Sequence, residues 1–184
     1  MRTVHSFPPI ADARAVVVVL GSMPGERSLQ ESEYYAHPQN AFWTILGALI
    51  GAGPEVPYDA RCALLRRNRI ALWDVLRSCA RAGSLDSDIA SASIVVNDFA
   101  GFFARHPGIR GVLCNGDKAH TCYRRHVLPG LAPRFAALPL RRLPSTSPAH
   151  AAMTLPKKLA AWRVGLADYL GNRLRQLPGF SAAR

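Results

Sequence analysis

Cysteine is scarce. The four present, Cys62, Cys79, Cys114 and Cys122, form no CxxC pair. That spacing excludes the common zinc and iron–sulfur ligand patterns, and neither a metal nor a cofactor is expected. Cys79 and Cys114 lie in or beside apolar runs and read as buried thiols. Acidic residues are also few. Twelve Asp and Glu face 23 Lys and Arg, which leaves a net charge of +11 over 184 residues. No apolar run approaches the ~20 residues that span a bilayer. No charged start leads into an apolar stretch with a small-residue cleavage site. No membrane association is expected, and a cytoplasmic, reducing location is. GxGxxG and GK[ST] patterns are missing, which excludes the usual dinucleotide and P-loop sites. No internal repeat or linker breaks the chain, so one domain over residues 1–184 is expected, with its core at about 15–170.

The basic excess, most of it from Arg, points to a polyanionic partner, with nucleic acid first. A solvated basic surface is the equal alternative on charge alone.

The pattern of the chain is alternating. Residues 15–20, AVVVVL, suit a strand buried on both faces. A polar loop follows. Phe42, Ile45, Leu46, Leu49 and Ile50 then recur at helical spacing, with Gly51 and Gly53 beyond. A helix is predicted over 58–67, a strand over 70–75, a loop over 76–93, a helix over 96–106 despite Gly101, and a strand over 111–116. A helix over 117–127, a strand over 140–144 and a final helix over 155–170 complete the order, with a frayed last dozen residues. Strands alternating with helices imply a parallel sheet between helical layers. Ligands of such sheets bind beyond the carboxyl ends of the strands, here the loops after the first, second and fourth strands.

Those loops hold the candidate site. GSMPG (21–25) makes a tight turn straight after a buried strand, which lets backbone approach a ligand; as a bare pattern it reads equally as structure. HPQNAFW (37–43) places Asn40 in the first turn of a helix, where free amides favour developing negative charge. Taken alone, Asn40 reads first as a cap and His37 as a surface residue. Tyr34 and Tyr35 precede this helix, and an aromatic ring there stacks on a base or simply packs its loop. Trp73 and Asp74 end the second strand, Asp74 as an acceptor for a base or as a cap. LPSTSPAHA (143–151) offers hydroxyls and amides to phosphates, with Arg141 and Arg142 before it and Lys157 and Lys158 after it.

GSMPG, YYAHPQNAFWTIL, IALWDVLRSCARAGSLDSDI, CNGDKA and LPSTSPAHA occur in this order. Together they resemble the uracil-DNA glycosylase superfamily, in its hypoxanthine-DNA (deoxyinosine) glycosylase branch. The likeness runs from about residue 15 to 170. It implies a three-layer α/β/α sandwich around a four-stranded parallel sheet. It implies a monofunctional DNA glycosylase of base excision repair, acting as a monomer on a deaminated base in double-stranded DNA, with single-stranded DNA as a second form. The alternatives are a uracil- or mismatch-directed enzyme and a DNA-binding protein of the same fold with weak catalysis.

Two departures stand out. Many relatives carry Asp or Asn, which orients the attacking water, where Met23 stands; many also carry His or Asn, which binds a uracil carbonyl, where Leu143 stands. The branch is assigned a catalytic Asn in its HPxN segment, which maps onto Asn40. By the same resemblance, Gly21, Ser22, Met23, Pro24, Tyr35, His37, Trp73, Asp74 and Leu143 form a base pocket. Tyr35 stacks on the flipped base, and the amides of Gly21–Met23 stabilise the departing purine. Ser145, Thr146, Ser147, Pro148, Ala149, His150, Arg142, Lys157 and Lys158 meet DNA, the segment Pro148–His150 filling the vacated stack. No Schiff base is needed.

Overall fold

Val17–Gly21 (β2) is buried at every position, as β-branched residues between two helical layers should be. The computed structural model describes residues 2–175. In it β2 pairs in parallel with Ile70–Asp74 (β3) on one side and Val112–Asn115 (β6) on the other. Leu140–Leu143 (β7) joins the outer edge of β6, so the sheet order is β3-β2-β6-β7, all parallel. The helices predicted between and after these strands form: Phe42–Ile50 (α2), Tyr58–Arg67 (α3), Phe99–Arg105 (α4), Asp117–Cys122 (α5) and Leu155–Leu170 (α7). The result is a three-layer α/β/α sandwich.

Two aromatic clusters hold the layers to the sheet. Phe42 of α2 meets Trp162 of α7 edge-on at 5.7 Å between centroids. Trp73 of β3 packs on Phe99 and Phe102 of α4 at 5.1 and 5.0 Å. Such pairs add about 0.5–1.5 kcal/mol each beyond burial of their area. Gly165 lets α7 lie close on β7, because a Cβ there would sit 2.7 Å from the Leu143 side chain. No helix among the described residues is long and apolar enough to cross a membrane.

Several expectations change. The predicted loop over 76–93 contains Leu76–Arg81 (β4), which runs on from β3 after one residue. It pairs antiparallel with Arg2–His5 (β1) and with Val95–Val96 (β5) in a second, three-stranded sheet. The partner strand lies more than 70 positions away in the chain, where no local pattern announces it. The polar stretch after β2 contains a short helix, Glu26–Glu31 (α1), and another short one, Pro133–Ala136 (α6), precedes β7. Helix α4 starts at Phe99, where the Asp98 carboxylate accepts the Gly101 N–H at 2.9 Å. Helix α5 widens into a π-helical turn over Tyr123–Val127. Within the segment expected to fray, Leu174 is buried and the Arg175 N–H donates to the Leu49 carbonyl at 2.8 Å. The rest of that segment, 176–184, lies outside the described residues.

Candidate active site

The carboxyl ends of β2, β3 and β6 open into a cavity of about 470 Å³, and the loop after β7 closes its other side. This is within the ~300–1,000 Å³ typical of ligand sites. The turn after β2 is tied to the β3–β4 junction, since the N–H groups of Val75 and Leu76 donate to the carbonyls of Gly21 and Ser22 at 2.8 and 3.1 Å. The amides of Ser22 and Met23 donate to no other group among the described residues. They are free to meet a developing negative charge.

Asn115, at the end of β6, clamps the surrounding loops. Its amide donates to the Thr146 hydroxyl at 2.8 Å and its oxygen accepts the Thr146 N–H at 2.9 Å. The Thr146 carbonyl in turn accepts the Ala41 N–H at 3.0 Å. One side chain therefore joins the end of β6, the loop after β7 and the approach to α2.

Asn40 stands two residues before α2, not in its first turn. Its Oδ1 accepts the Phe42 N–H at 3.0 Å, and its own N–H donates to the His37 carbonyl at 2.8 Å. One lone pair of that oxygen is committed, and the NH₂ is free to donate. It can hold a water or substrate oxygen by donating, and it cannot take a proton.

Asp74 is almost wholly buried, and its Oδ2 has no hydrogen-bond partner among the described residues. Burial, reinforced by the nearby Asp86 charge and opposed by Arg81, pushes its pKa up to about 8. The Tyr35 hydroxyl makes no well-formed hydrogen bond either, although the Asn115 amide lies beside it. Gly21 is what allows this meeting, since a Cβ there would lie 2.9 Å from the Tyr35 hydroxyl and collide with the Asp74 carboxyl. Tyr35 sits in the left-handed region at φ 55° and stacks on Phe42 at 4.0 Å. Strain of that kind costs about 1–3 kcal/mol and gathers where ligands bind.

A hypoxanthine DNA glycosylase of Methanosarcina barkeri is 39% identical over 116 residues, which are 62% of this chain and 72% of that protein. A hypoxanthine DNA glycosylase of Methanosarcina acetivorans is 38% identical over the same spans. The chain belongs to the hypoxanthine DNA glycosylase family. No family model matches it. The solution structure of a candidate uracil DNA glycosylase from Methanosarcina acetivorans superposes with a TM-score of 0.71 at 30% identity. That match covers 89% of this chain and 98% of the other, which places the family in the uracil-DNA glycosylase superfamily.

In this glycosylase the cavity gathers most of the residues expected from sequence. Gly21, Ser22, Met23, Pro24, Tyr35, His37, Asn40 and Asp74 line it, as do Ser145, Thr146, Ser147, Pro148, Ala149 and His150. Five expected residues are elsewhere. Trp73 faces α4, its indole donating to the Phe7 carbonyl at 3.0 Å, because neighbouring strand residues point to opposite faces. Leu143 presses on Gly165 of α7, so its side chain says nothing about base choice. Lys158 is buried and donates to the His150 carbonyl at 2.9 Å, which makes it a brace for the loop rather than a phosphate contact. Arg142 forms a surface ion pair with Asp117 at 2.7 Å, and Lys157 is exposed on α7. Thr146 lines the cavity, but its hydroxyl and N–H are occupied by Asn115.

Asn115 and Asp86 also line the cavity, and neither was singled out from sequence. Asn115 carried a usable signal, since CNG ends a buried strand at the ligand edge; the loop after the third strand belonged with the other three. Asp86 carried none, because its segment reaches the site only through the second sheet. Among the described residues no group of three or more His, Cys, Asp or Glu is placed to hold a metal ion.

Proposed function

We propose that the protein hydrolyses the N-glycosidic bond of hypoxanthine in DNA, as a monofunctional enzyme of base excision repair. The observation that carries this is the buried Asp74 carboxyl in the wall of a cavity beyond the parallel strands, its pKa pushed up by burial and its Oδ2 without a partner among the described residues. A neutral carboxyl is both donor and acceptor. Its O–H can donate to the hypoxanthine carbonyl while its C=O accepts the adjacent ring N–H, a two-bond match to the lactam edge that deamination creates. An ionised carboxylate would meet that carbonyl with repulsion.

The target nucleotide leaves the duplex to reach the cavity, and unstacking costs least for a mispaired base. That cost separates hypoxanthine from adenine, whose edge a neutral carboxyl can also meet. Tyr35 offers the ring face opposite Phe42 for stacking. Asn40 donates to the attacking water or the sugar oxygen. The free amides of Ser22 and Met23 receive negative charge on the departing purine. Ser145, Ser147 and the segment 148–150 line the cavity, and on this reading they meet the flanking phosphates and the vacated stack. The net charge of +11 suits a duplex partner.

Uracil presents the same N–H/C=O edge, so removal of uracil is the second reading. The soft Met23 side chain in the cavity wall favours the larger purine. The test is single-turnover release from identical duplexes carrying inosine, uracil or xanthine opposite one base. Faster release of hypoxanthine is expected, and equal or faster loss of uracil would overturn the assignment.

A further inference from the structure

Hydrolysis needs a group that accepts a proton from water; Asn40, Met23 and Asp74 do not provide it, which leaves the His37 and His150 imidazoles and the remaining carboxylates of the cavity. Asn40 is a non-basic amide, Met23 ends in a thioether, and burial pushes Asp74 towards its neutral form. Of the two other carboxylates that line the cavity, Glu26 is exposed in the first turn of α1, and the one tied to the neighbour of Met23 is Asp86. It stands on a helical turn, Asp86–Asp88, between β4 and β5. Its Oδ1 accepts the Ser22 hydroxyl at 2.5 Å, across 64 positions of sequence. Ser22 is the neighbour of Met23, so a carboxylate arrives from another segment beside the very position where the chain lacks a water-orienting side chain. The other Asp86 oxygen accepts no hydrogen bond among the described residues, and the residue is exposed to solvent. Although Asp86 is exposed, desolvation of its carboxyl raises the pKa above that of a free one, opposed by the Ser22 hydroxyl, Lys118 and Arg81.

We propose that Asp86 is the catalytic carboxylate of this glycosylase, held by Ser22 to take the proton from the water that attacks C1′ and to stabilise positive charge on the sugar. The inference rests on the glycosylase reading. The bond between C1′ and the base nitrogen breaks, and its electron pair leaves with the base. The water oxygen bonds to C1′, and the proton it loses passes to Asp86. The base takes one proton from solvent and Asp86 later returns one, so the sum is free base and a C1′ hydroxyl. Asn40 and Asp86 thus divide the work, one donating to the water oxygen and the other accepting its proton.

The opposing account is that Asp86 only pins its segment to Ser22. Single-turnover release from a deoxyinosine duplex separates the two, measured for wild type, Asp86→Asn, Asp86→Ala with and without formate, and Ser22→Ala. Asp86→Asn should lose about 100-fold or more in rate, the range of lost acid–base catalysis, with duplex affinity and melting transition kept. Formate should restore roughly tenfold or more to Asp86→Ala, and Ser22→Ala, which keeps the carboxylate, should lose less than about tenfold. Asp86→Asn within about threefold of wild type overturns the proposal, as does a Ser22→Ala loss matching that of Asp86→Ala without formate rescue. Wild type that releases no deaminated base at all overturns the glycosylase reading and this inference together; an active wild type with an equally active Asp86→Asn overturns this inference alone.

Discussion

Replacing Asp74 by Asn tests whether the site uses a neutral carboxyl. An amide keeps one donor and one acceptor and cannot ionise, so Asp74→Asn copies the protonated state at every pH. With a pKa of about 8, Asp74 is roughly nine-tenths neutral at pH 7 and one-tenth neutral at pH 9. Wild-type excision should therefore fall about tenfold per unit above pH 8, while Asp74→Asn should lack that limb and stay within about tenfold of wild type at pH 7. Taking the ratio of the two enzymes cancels any titration of the substrate.

Stability follows the same group. Its folded pKa lies above its unfolded value of 3.8, so the folded state binds the extra proton. Stability is then fully present below about pH 4 and is lost as pH rises through about 8. The full shift of about four units is on the order of 6 kcal/mol at 1.4 kcal/mol per unit. Water in the cavity and relaxation around the charge cut that to about 3 kcal/mol. At about 2–4 °C per kcal/mol for a chain of this size, Asp74→Asn should melt roughly 6–12 °C above wild type at pH 9. The gap should narrow towards pH 5. Melting curves that stay parallel from pH 5 to 9, together with an Asp74→Asn enzyme that releases no hypoxanthine, would refute the reasoning. Asp74→Ala, which removes both hydrogen bonds, should lose activity at every pH.

Three further outcomes are expected. Asn40→Ala should lower single-turnover excision about 100-fold while duplex binding holds, at a stability cost of about 1 kcal/mol for the lost hydrogen bond from the Phe42 N–H; near-wild-type excision by the folded variant would remove Asn40 from the mechanism. Asn115→Ala leaves the Thr146 N–H and hydroxyl without their partner, so it should cost about 1–3 kcal/mol in denaturant unfolding and slow excision by loosening three loops at once; an unchanged midpoint would show that the clamp carries no energy. Affinity for undamaged duplex should fall linearly with log salt, with surface Arg141, Arg142 and Lys157 contributing and buried Lys158 not. A flat titration would contradict a DNA-facing surface.

The sequence by itself determined the parallel sheet and the helices between its strands. Those elements are written in short-range periodicity, and α3 and α7 occupy the residues their patterns predict. It also determined which loops meet, because ligands of parallel sheets bind at the carboxyl ends, and Gly21, Asn40, Asp74 and the loop after β7 all reach one cavity. What tertiary structure decided was direction and protonation. Trp73 and Asp74 are adjacent in sequence, yet the pleat sends one into the core and the other into the cavity. Leu143 occupies a suggestive motif position, but its side chain faces α7. Asp86 reaches the site from the segment between β4 and β5, in a second sheet set by long-range hydrogen bonds. The charge state of Asp74 depends on how much water its neighbours exclude, and burial is a property of the assembled fold, which no stretch of sequence contains.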